Sequence, residues 1–229
     1  MARTSRPEHY RREVSRVEGF SDAVFAFAIT LLVVSLEVPK TFEELMAAVR
    51  GFPAFAVCFA LLFQVWWRHY QFFRNYDLED STVIALTGFL LFVVLFYVYP
   101  LKFVWSLFFA QFSPRGVHGD AVTGPQASAL FEIYGLGVAA VFGILALMYA
   151  HAYRHRGDLQ LTPLEVVDTR VDVYRNIGIA CIGVASVVMA AILGRVAPNL
   201  IGLAGYMYGL IGISEWLLGN YNSRLRSRI

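Results

Sequence analysis

The chain has 229 residues, of which 58% are apolar, 15% aromatic and only 16% charged, and its formal net charge at pH 7 is +2. This composition excludes an ordinary soluble domain and a disordered chain, and it predicts a polytopic membrane protein. Only two cysteines are present, and both lie in apolar stretches, so neither a disulfide framework nor a thiolate metal site is expected.

Six apolar stretches are long enough to cross a bilayer core of about 30 Å. We therefore predict an all-α fold with six transmembrane helices, at about 17–38, 51–70, 82–100, 128–150, 173–193 and 197–218. An aromatic run after the third stretch allows that helix to extend toward Pro114. The connecting loops are too short to hold a core of their own, so the whole chain is expected to form one domain, with a basic arm over about 1–15.

The distribution of basic residues predicts the orientation in the membrane. An even number of spans places both termini on one side, and fourteen of the 19 lysines and arginines fall on that side. Because positive charge is retained in the cytoplasm, we predict a multi-pass protein of the cell membrane with both termini cytoplasmic. The first apolar stretch is long and has no small-residue cleavage site before Pro39, which is not typical of a signal peptide.

Two helix starts are marked by capping patterns. Thr162-Pro163-Leu164-Glu165 has the capping-box spacing, with proline at the first helical position, so the fifth helix is expected to begin in the cytoplasm. Ser15-Arg16-Val17-Glu18 has a similar pattern at the first helix. We interpret Glu18 as a capping residue rather than an ion-handling one.

Asp22 is the most informative polar residue, because it lies at the mouth of the first span. An ionisable group at the edge of hydrocarbon is costly. Asp22 must therefore have a partner inside the protein or border a watery path.

Helical geometry separates Asp22 from an apolar stripe on the same span. At about 100° per residue, one face carries only apolar side chains: Phe20, Val24, Phe27, Leu31, Val34 and Val38. Asp22 lies roughly 140° around the helix from Phe27 and points away from the stripe. Thr30 lies about 60° from Phe27, at the margin of the stripe, where its hydroxyl can face a neighbouring helix or a lumen.

The first span also carries a motif. Arg16, Phe20, Ser21 and Asp22 form the pattern R-x-x-x-F-S-D, and Phe25-Ala26-Phe27-Ala28-Ile29-Thr30-Leu31-Leu32 follows. This segment resembles the transmembrane protein 175 family of potassium-permeable channels. Trp66 and His69 resemble the tryptophan and histidine that the family tends to carry at the inner end of the second span.

The resemblance implies a homotetramer in which four copies of the first helix line a central pore. It implies a constriction of large apolar residues at Phe27, Leu31 and Val34, and a selectivity layer at Thr30. Phe27 departs from the isoleucine or leucine of other members. The expected partners are the chain itself, the lipid bilayer and monovalent cations, with K⁺ as the permeant ion, no cofactor and no nucleic acid.

Selectivity needs an explanation because the chain has no T-V-G-Y-G filter. Gly205-Tyr206-Met207-Tyr208-Gly209 lacks the preceding Thr-Val and lies in a predicted span rather than a re-entrant loop. Our hypothesis is that Phe27 and Leu31 narrow and dewet the pore, while Thr30 hydroxyls replace part of the water around a cation.

Each feature also has a structural interpretation, which the sequence leaves open. An apolar stripe on a membrane helix commonly faces lipid or packs against another helix. Arg16, Ser21 and Asp22 can serve as a structural network between helices. Trp66 and His69 lie where an interfacial aromatic belt is expected, so anchoring in the interface competes with partnering Asp22.

Other classes of function find less support. The sequence has no H-E-x-x-H, no G-x-S-x-G, no phosphate-binding glycine loop and no carboxylate pair at membrane depth, so an enzyme is not expected. Three histidines, His118, His151 and His155, are interpreted as lacking metal-ligand spacing. A secondary transporter is the alternative function, and it predicts discontinuous helices or a polar midplane residue in matching halves. No inverted repeat is apparent, and a continuous proton relay is absent.

Overall fold

A computed structural model describes residues 14–34, 38–110, 124–197 and 200–226. This part of the chain contains seven helices and no strand, which confirms the all-α prediction. The helices are α1 (Arg16–Val34), α2 (Phe42–Asn75), α3 (Ser81–Ala110), α4 (Gly124–Arg154), α5 (Pro163–Val196), α6 (Leu203–Tyr206) and α7 (Gly209–Arg226).

Five of the described helices, α1 to α5, are long and apolar enough to cross a membrane. They coincide with the first five predicted spans. α3 continues to Ala110 and so includes the aromatic run that follows the third apolar stretch. Pro114, the expected end of that extension, lies outside the described residues.

The segment predicted as a sixth span is helical but interrupted. It contains the four-residue α6 and the longer α7, separated at Met207 and Tyr208. Around this break, backbone N–H groups bond to carbonyls three residues earlier, as in Tyr208 to Gly205 and Leu210 to Met207. Glycine lowers helix propensity, and this glycine-rich stretch accordingly adopts tight turns where the sequence pattern predicts one continuous span.

Both capping patterns correspond to observed contacts. Thr162 accepts the N–H of Glu165, and the Glu165 carboxylate accepts the N–H of Thr162 at 2.7 Å, which completes the predicted capping box. At α1, the Ser15 hydroxyl accepts the N–H of Glu18 at 3.1 Å. The first helix therefore begins where the sequence predicts.

The closest helix packing lies between α4 and α5, which make the most extensive helix pair. A Cβ atom added to Gly183 would lie 2.8 Å from the carbonyl oxygen of Gly135 and 2.9 Å from the nitrogen of Ala139. Only glycine permits this approach of two backbones.

Polar contacts between several helices are concentrated at one end of the bundle. The Tyr76 hydroxyl, just after α2, donates to Thr169 of α5 at 2.8 Å, and the Tyr149 hydroxyl of α4 donates to the carbonyl of Arg68. The carboxyl ends of α2 and α4 therefore lie beside the start of α5. This arrangement is the one expected when consecutive spans alternate in direction.

Candidate pore helix and its anchoring site

α1 has one buried face and one exposed face. Phe25, Ala28 and Leu32 are at most 1% exposed and belong to the core. On the other side, Phe27 is 56% and Val34 76% exposed, although each is large and apolar. The helix therefore uses one face to attach to its own chain and leaves the other face uncovered.

The exposed face contains the predicted stripe. Phe20, Phe27 and Val34 are exposed, and Leu31 is partly buried. Val38, the last member of the predicted stripe, lies beyond the end of α1. Leu31, like the stripe residue Val24, packs against the chain's own core, whereas Phe27 and Val34 are uncovered.

Thr30 lies at the margin of this stripe and is exposed. Its hydroxyl donates to the carbonyl oxygen of Phe27 at 2.7 Å. The proton of the hydroxyl is therefore directed back to the helix, and the oxygen lone pairs remain as acceptors. Such an oxygen can take part in coordinating a cation.

Asp22 has a direct partner on α2. The indole Nε1 of Trp66 donates to Oδ1 of Asp22 at 2.8 Å, across 44 residues of sequence. Trp66 also packs against Phe63 and Tyr70, with ring centroids 5.1 and 5.4 Å away. The sequence left open whether Trp66 anchors α2 in the membrane interface or is a partner of Asp22. The structure contains the contact between Trp66 and Asp22.

The remaining motif residues divide into buried and exposed positions. The Ser21 side chain is buried and its hydroxyl donates to the carbonyl of Val17 at 2.6 Å. Arg16 and Phe20 are exposed, and they take no part in the Asp22–Trp66 contact among the described residues. The motif therefore does not form one closed network within a single chain.

His69 lies between α1 and α2 and is not the partner of Asp22. It is 1% exposed and packs between Phe25 and Phe73, with ring centroids 5.6 and 4.9 Å away. Within the described part of the chain, its Nε2 atom has no hydrogen-bond partner. His69 contributes to the aromatic packing between α1 and α2.

Known proteins resemble this chain in sequence. The family model described as "Endosomal/lysosomal potassium channel TMEM175" matches residues 16–97, which comprise α1, α2 and the first half of α3. A potassium channel of Marivirga tractuosa is 36% identical over 229 residues, covering 95% of this chain and 91% of that protein. The chain belongs to the TMEM175 family.

Solved structures agree with this membership. A crystal structure of a variant of the potassium channel MtTMEM175, in complex with a Nanobody-MBP fusion protein, has a TM-score of 0.81 at 34% identity. It covers 96% of this chain and 99% of that one. A second structure, of a lysosomal potassium-selective channel TMEM175 homolog from Chamaesiphon minutus, has a TM-score of 0.52 at 23% identity. It covers 83% of this chain and 97% of that one and shares the fold. The chain is thus a multi-pass membrane protein with the TMEM175 fold.

This TMEM175-family chain also contains a charged cluster that sequence reasoning missed. Glu215 of α7 accepts from Arg68 of α2 at 2.9 Å and pairs with Arg175 of α5 at 3.0 Å. Arg175 also pairs with Asp172 at 2.8 Å. The spacing of Asp172 and Arg175 on one helix could have suggested their pair, but no local pattern connects Glu215 to Arg68.

A second polar cluster corrects the interpretation of two histidines. His151 and His155 are four residues apart at the end of α4, and Asp80, just before α3, lies beside them. The conclusion that these histidines lack ligand spacing is therefore wrong. Four residues is one helical turn, and the fold supplies a carboxylate that the sequence places 71 residues away.

Proposed function

We propose that the protein is a potassium-permeable cation channel: a homotetramer of the cell membrane in which four α1 helices surround the pore and both termini lie in the cytoplasm. Membership of the TMEM175 family supports this function, because its relatives are named potassium channels. The alternative of a secondary transporter predicts discontinuous helices in matching halves of the chain. The segment of α6 and α7 is interrupted, but α3, its counterpart in the first half, is one continuous helix.

The exposed apolar stripe on α1 carries the proposal. A helix whose opposite face is already buried in its own chain must meet lipid or other copies with its free face. Because a single helix cannot enclose a path for ions, a pore along this stripe requires an oligomer. In the tetramer the four stripes would face each other around the axis, with Phe27, Leu31 and Val34 as the constriction.

Permeation through such a pore depends on residues other than a T-V-G-Y-G filter, which the sequence lacks. Rings of Phe27 and Leu31 would narrow the pore and expel water, which makes an ion's passage costly while the pore is closed. Thr30 is exposed at the margin of the stripe, and its hydroxyl oxygen keeps free lone pairs. We propose that a layer of these oxygens replaces part of the hydration shell of K⁺.

The Asp22–Trp66 hydrogen bond has a positioning role in this proposal. It ties the start of α1 to α2 on the side opposite the stripe. It also gives the carboxylate a partner inside the protein, so that a charge at the membrane edge does not have to face the lumen. The rotation of α1 about its axis, and therefore the direction of the stripe, would depend on this contact.

The test is a measurement of ion selectivity in a planar bilayer. Purified protein is reconstituted with K⁺ on one side and Na⁺ on the other, and the reversal potential is measured. We expect stepwise currents that reverse toward the K⁺ equilibrium potential. Thr30→Val, which keeps the side-chain shape but removes the hydroxyl, should move the reversal potential toward zero, while Thr30→Ser should keep most of the preference.

Two results would contradict the proposal. Absence of current, together with slow saturable uptake into liposomes, would indicate a transporter. An equal reversal potential in wild type, Thr30→Val and Thr30→Ser would exclude the threonine layer while leaving the channel itself intact. The mass of the detergent-solubilised particle tests the tetramer separately.

A further inference from the structure

We propose that Asp80, His151 and His155 form a binding site for one divalent transition-metal ion of the Zn²⁺ class. One ligand atom from each residue lies within 4.8 Å of the other two. The site lies at the junction between the α2–α3 connection and the end of α4: Asp80 directly precedes α3, His151 is in the last turn of α4, and His155 directly follows α4. It is separate from the stripe on α1 and does not depend on the proposed channel function.

The ligand set identifies the class of metal. Two imidazole nitrogens and one carboxylate oxygen suit Zn²⁺ and similar ions, whereas Ca²⁺ and Mg²⁺ prefer sites made of oxygen alone. Three protein ligands leave a fourth tetrahedral position for water. In a zinc site with bonds of about 2.0–2.1 Å, neighbouring ligand atoms are about 3.3 Å apart. The side chains would have to rotate to bring ligand atoms that lie within 4.8 Å of one another to that spacing.

Asp80 and His151 already contact each other, with Nε2 of His151 2.5 Å from Oδ2 of Asp80. A metal ion would enter between these two atoms and replace the proton they share. Both side chains would keep their overall direction. The other carboxylate oxygen, Oδ1, accepts the N–H of Val83 at 2.9 Å, so the carboxyl group is held by the first turn of α3.

His155 is oriented by a backbone contact typical of metal-binding histidines. Its Nδ1 atom lies 3.1 Å from the carbonyl oxygen of His151. A carbonyl can only accept, so Nδ1 carries the proton and Nε2 of the neutral ring keeps its lone pair for a metal. The two imidazole rings are adjacent, with centroids 4.4 Å apart.

The surrounding charge also favours a cation. Asp77, Glu79 and Asp80 occupy the four-residue stretch before α3, and such a group of carboxylates raises the local concentration of cations. Among the cations nearby in sequence, Arg156 is directed to Tyr153, whose carbonyl it contacts at 3.1 Å and whose ring it covers. The positive charge of Arg156 is thus directed to Tyr153.

The test is a titration of the purified full chain, with any affinity tag removed, with Co²⁺ as a spectroscopic substitute for Zn²⁺. We expect a saturable visible absorption band at one ion per chain that Zn²⁺ abolishes. His155→Gln and Asp80→Asn should each weaken binding at least about tenfold, since each removes one ligand. Asparagine still caps α3, so Asp80→Asn removes the charge without removing the helix cap.

Glu79→Gln is the matched control, because it removes an exposed carboxylate next to Asp80 that is not part of the cluster. Its binding should stay within about twofold of wild type, as expected for an exposed charge that is screened by salt and supplies no ligand atom. Absence of saturable binding overturns the proposal. Equal affinity in wild type, His155→Gln and Asp80→Asn overturns it too, since the ion would then bind elsewhere, and so does a loss in Glu79→Gln as large as in Asp80→Asn.

Discussion

α1 and the α4–α5 pair use opposite kinds of packing. α4 and α5 bring their backbones together at Gly135 and Gly183, so that neither helix can move without disturbing the other. α1 is shorter and attaches by one face, while Phe27 and Val34 stay exposed. The difference indicates that α4 and α5 form the scaffold of the chain, whereas α1 presents a face to whatever lies outside the chain.

The largest effect on stability is expected when the scaffold contact is broken. Gly183→Ala places a Cβ atom 2.8 Å from the carbonyl oxygen of Gly135, where a backbone must shift, so we expect a loss of about 1–3 kcal/mol. Gly178→Ala, on the same helix, meets nothing within 4 Å and serves as the control. Thermal unfolding of the purified protein measures both, and equal melting temperatures would refute the close approach of α4 and α5.

The next largest effect is expected at the contact that joins α7 to the scaffold. Glu215→Gln removes the charge that pairs with both Arg68 and Arg175, and should lower stability by about 1 kcal/mol, since the site is partly exposed. The loss should shrink at high salt, where exposed charges are screened. Unfolding temperatures at low and high KCl give the comparison, and a salt-independent loss would point to packing instead.

A smaller loss is expected at the attachment of α1. Trp66→Phe keeps an aromatic ring but removes the donor to Asp22, and hydrogen bonds between membrane helices contribute about 0.6 kcal/mol on average. Trp67→Phe is the matched control, because Trp67 is 43% exposed and the observed donor to Asp22 is its neighbour Trp66. Currents should change in Trp66→Phe if this contact fixes the rotation of α1. Identical currents in the two variants would show that the hydrogen bond between Trp66 and Asp22 does not affect permeation.

The smallest effect on stability is expected on the stripe itself, together with a large effect on current. Leu31→Ser should cost no more than about 0.5 kcal/mol, because Leu31 is only partly buried where it packs against the core, yet it should raise leak and reduce the preference for K⁺. Val33→Ser, on another side of α1 and 49% exposed, is the control. Single-channel recordings test the pair, and equal leak in both variants would remove Leu31 from the constriction.

Acidification should weaken the contact between Asp80 and His151, which joins the start of α3 to the end of α4. Partial burial raises the pKa of Asp80, but the N–H of Val83, His151 and the N–H of Thr82 lower it by more, so this pKa lies below its ordinary value. A lowered pKa means that the contact stabilises the fold above the unfolded pKa and is lost as pH falls through the folded one. Melting temperatures should therefore fall at acid pH by less in Asp80→Asn than in wild type.

Much of the architecture follows from local sequence patterns. Hydrophobic length predicts six spans, of which the first five coincide with α1 to α5, and the spacing of Thr162 and Glu165 predicts the start of α5. The single stripe on α1 follows from helical periodicity, and the cost of a charge at the membrane edge required either a partner for Asp22 or a watery path beside it. These are properties of one segment at a time, which a linear sequence records fully.

Contacts between distant segments could be identified only from the tertiary structure. Only the order of the helices in the bundle places Trp66 beside Asp22, Glu215 between Arg68 and Arg175, and Asp80 beside His151. The interruption between α6 and α7 likewise escaped prediction, because the length of an apolar stretch does not record where its glycines favour a turn. Periodicity determines which face of a helix is apolar, but the partner of that face depends on contacts between residues far apart in the chain.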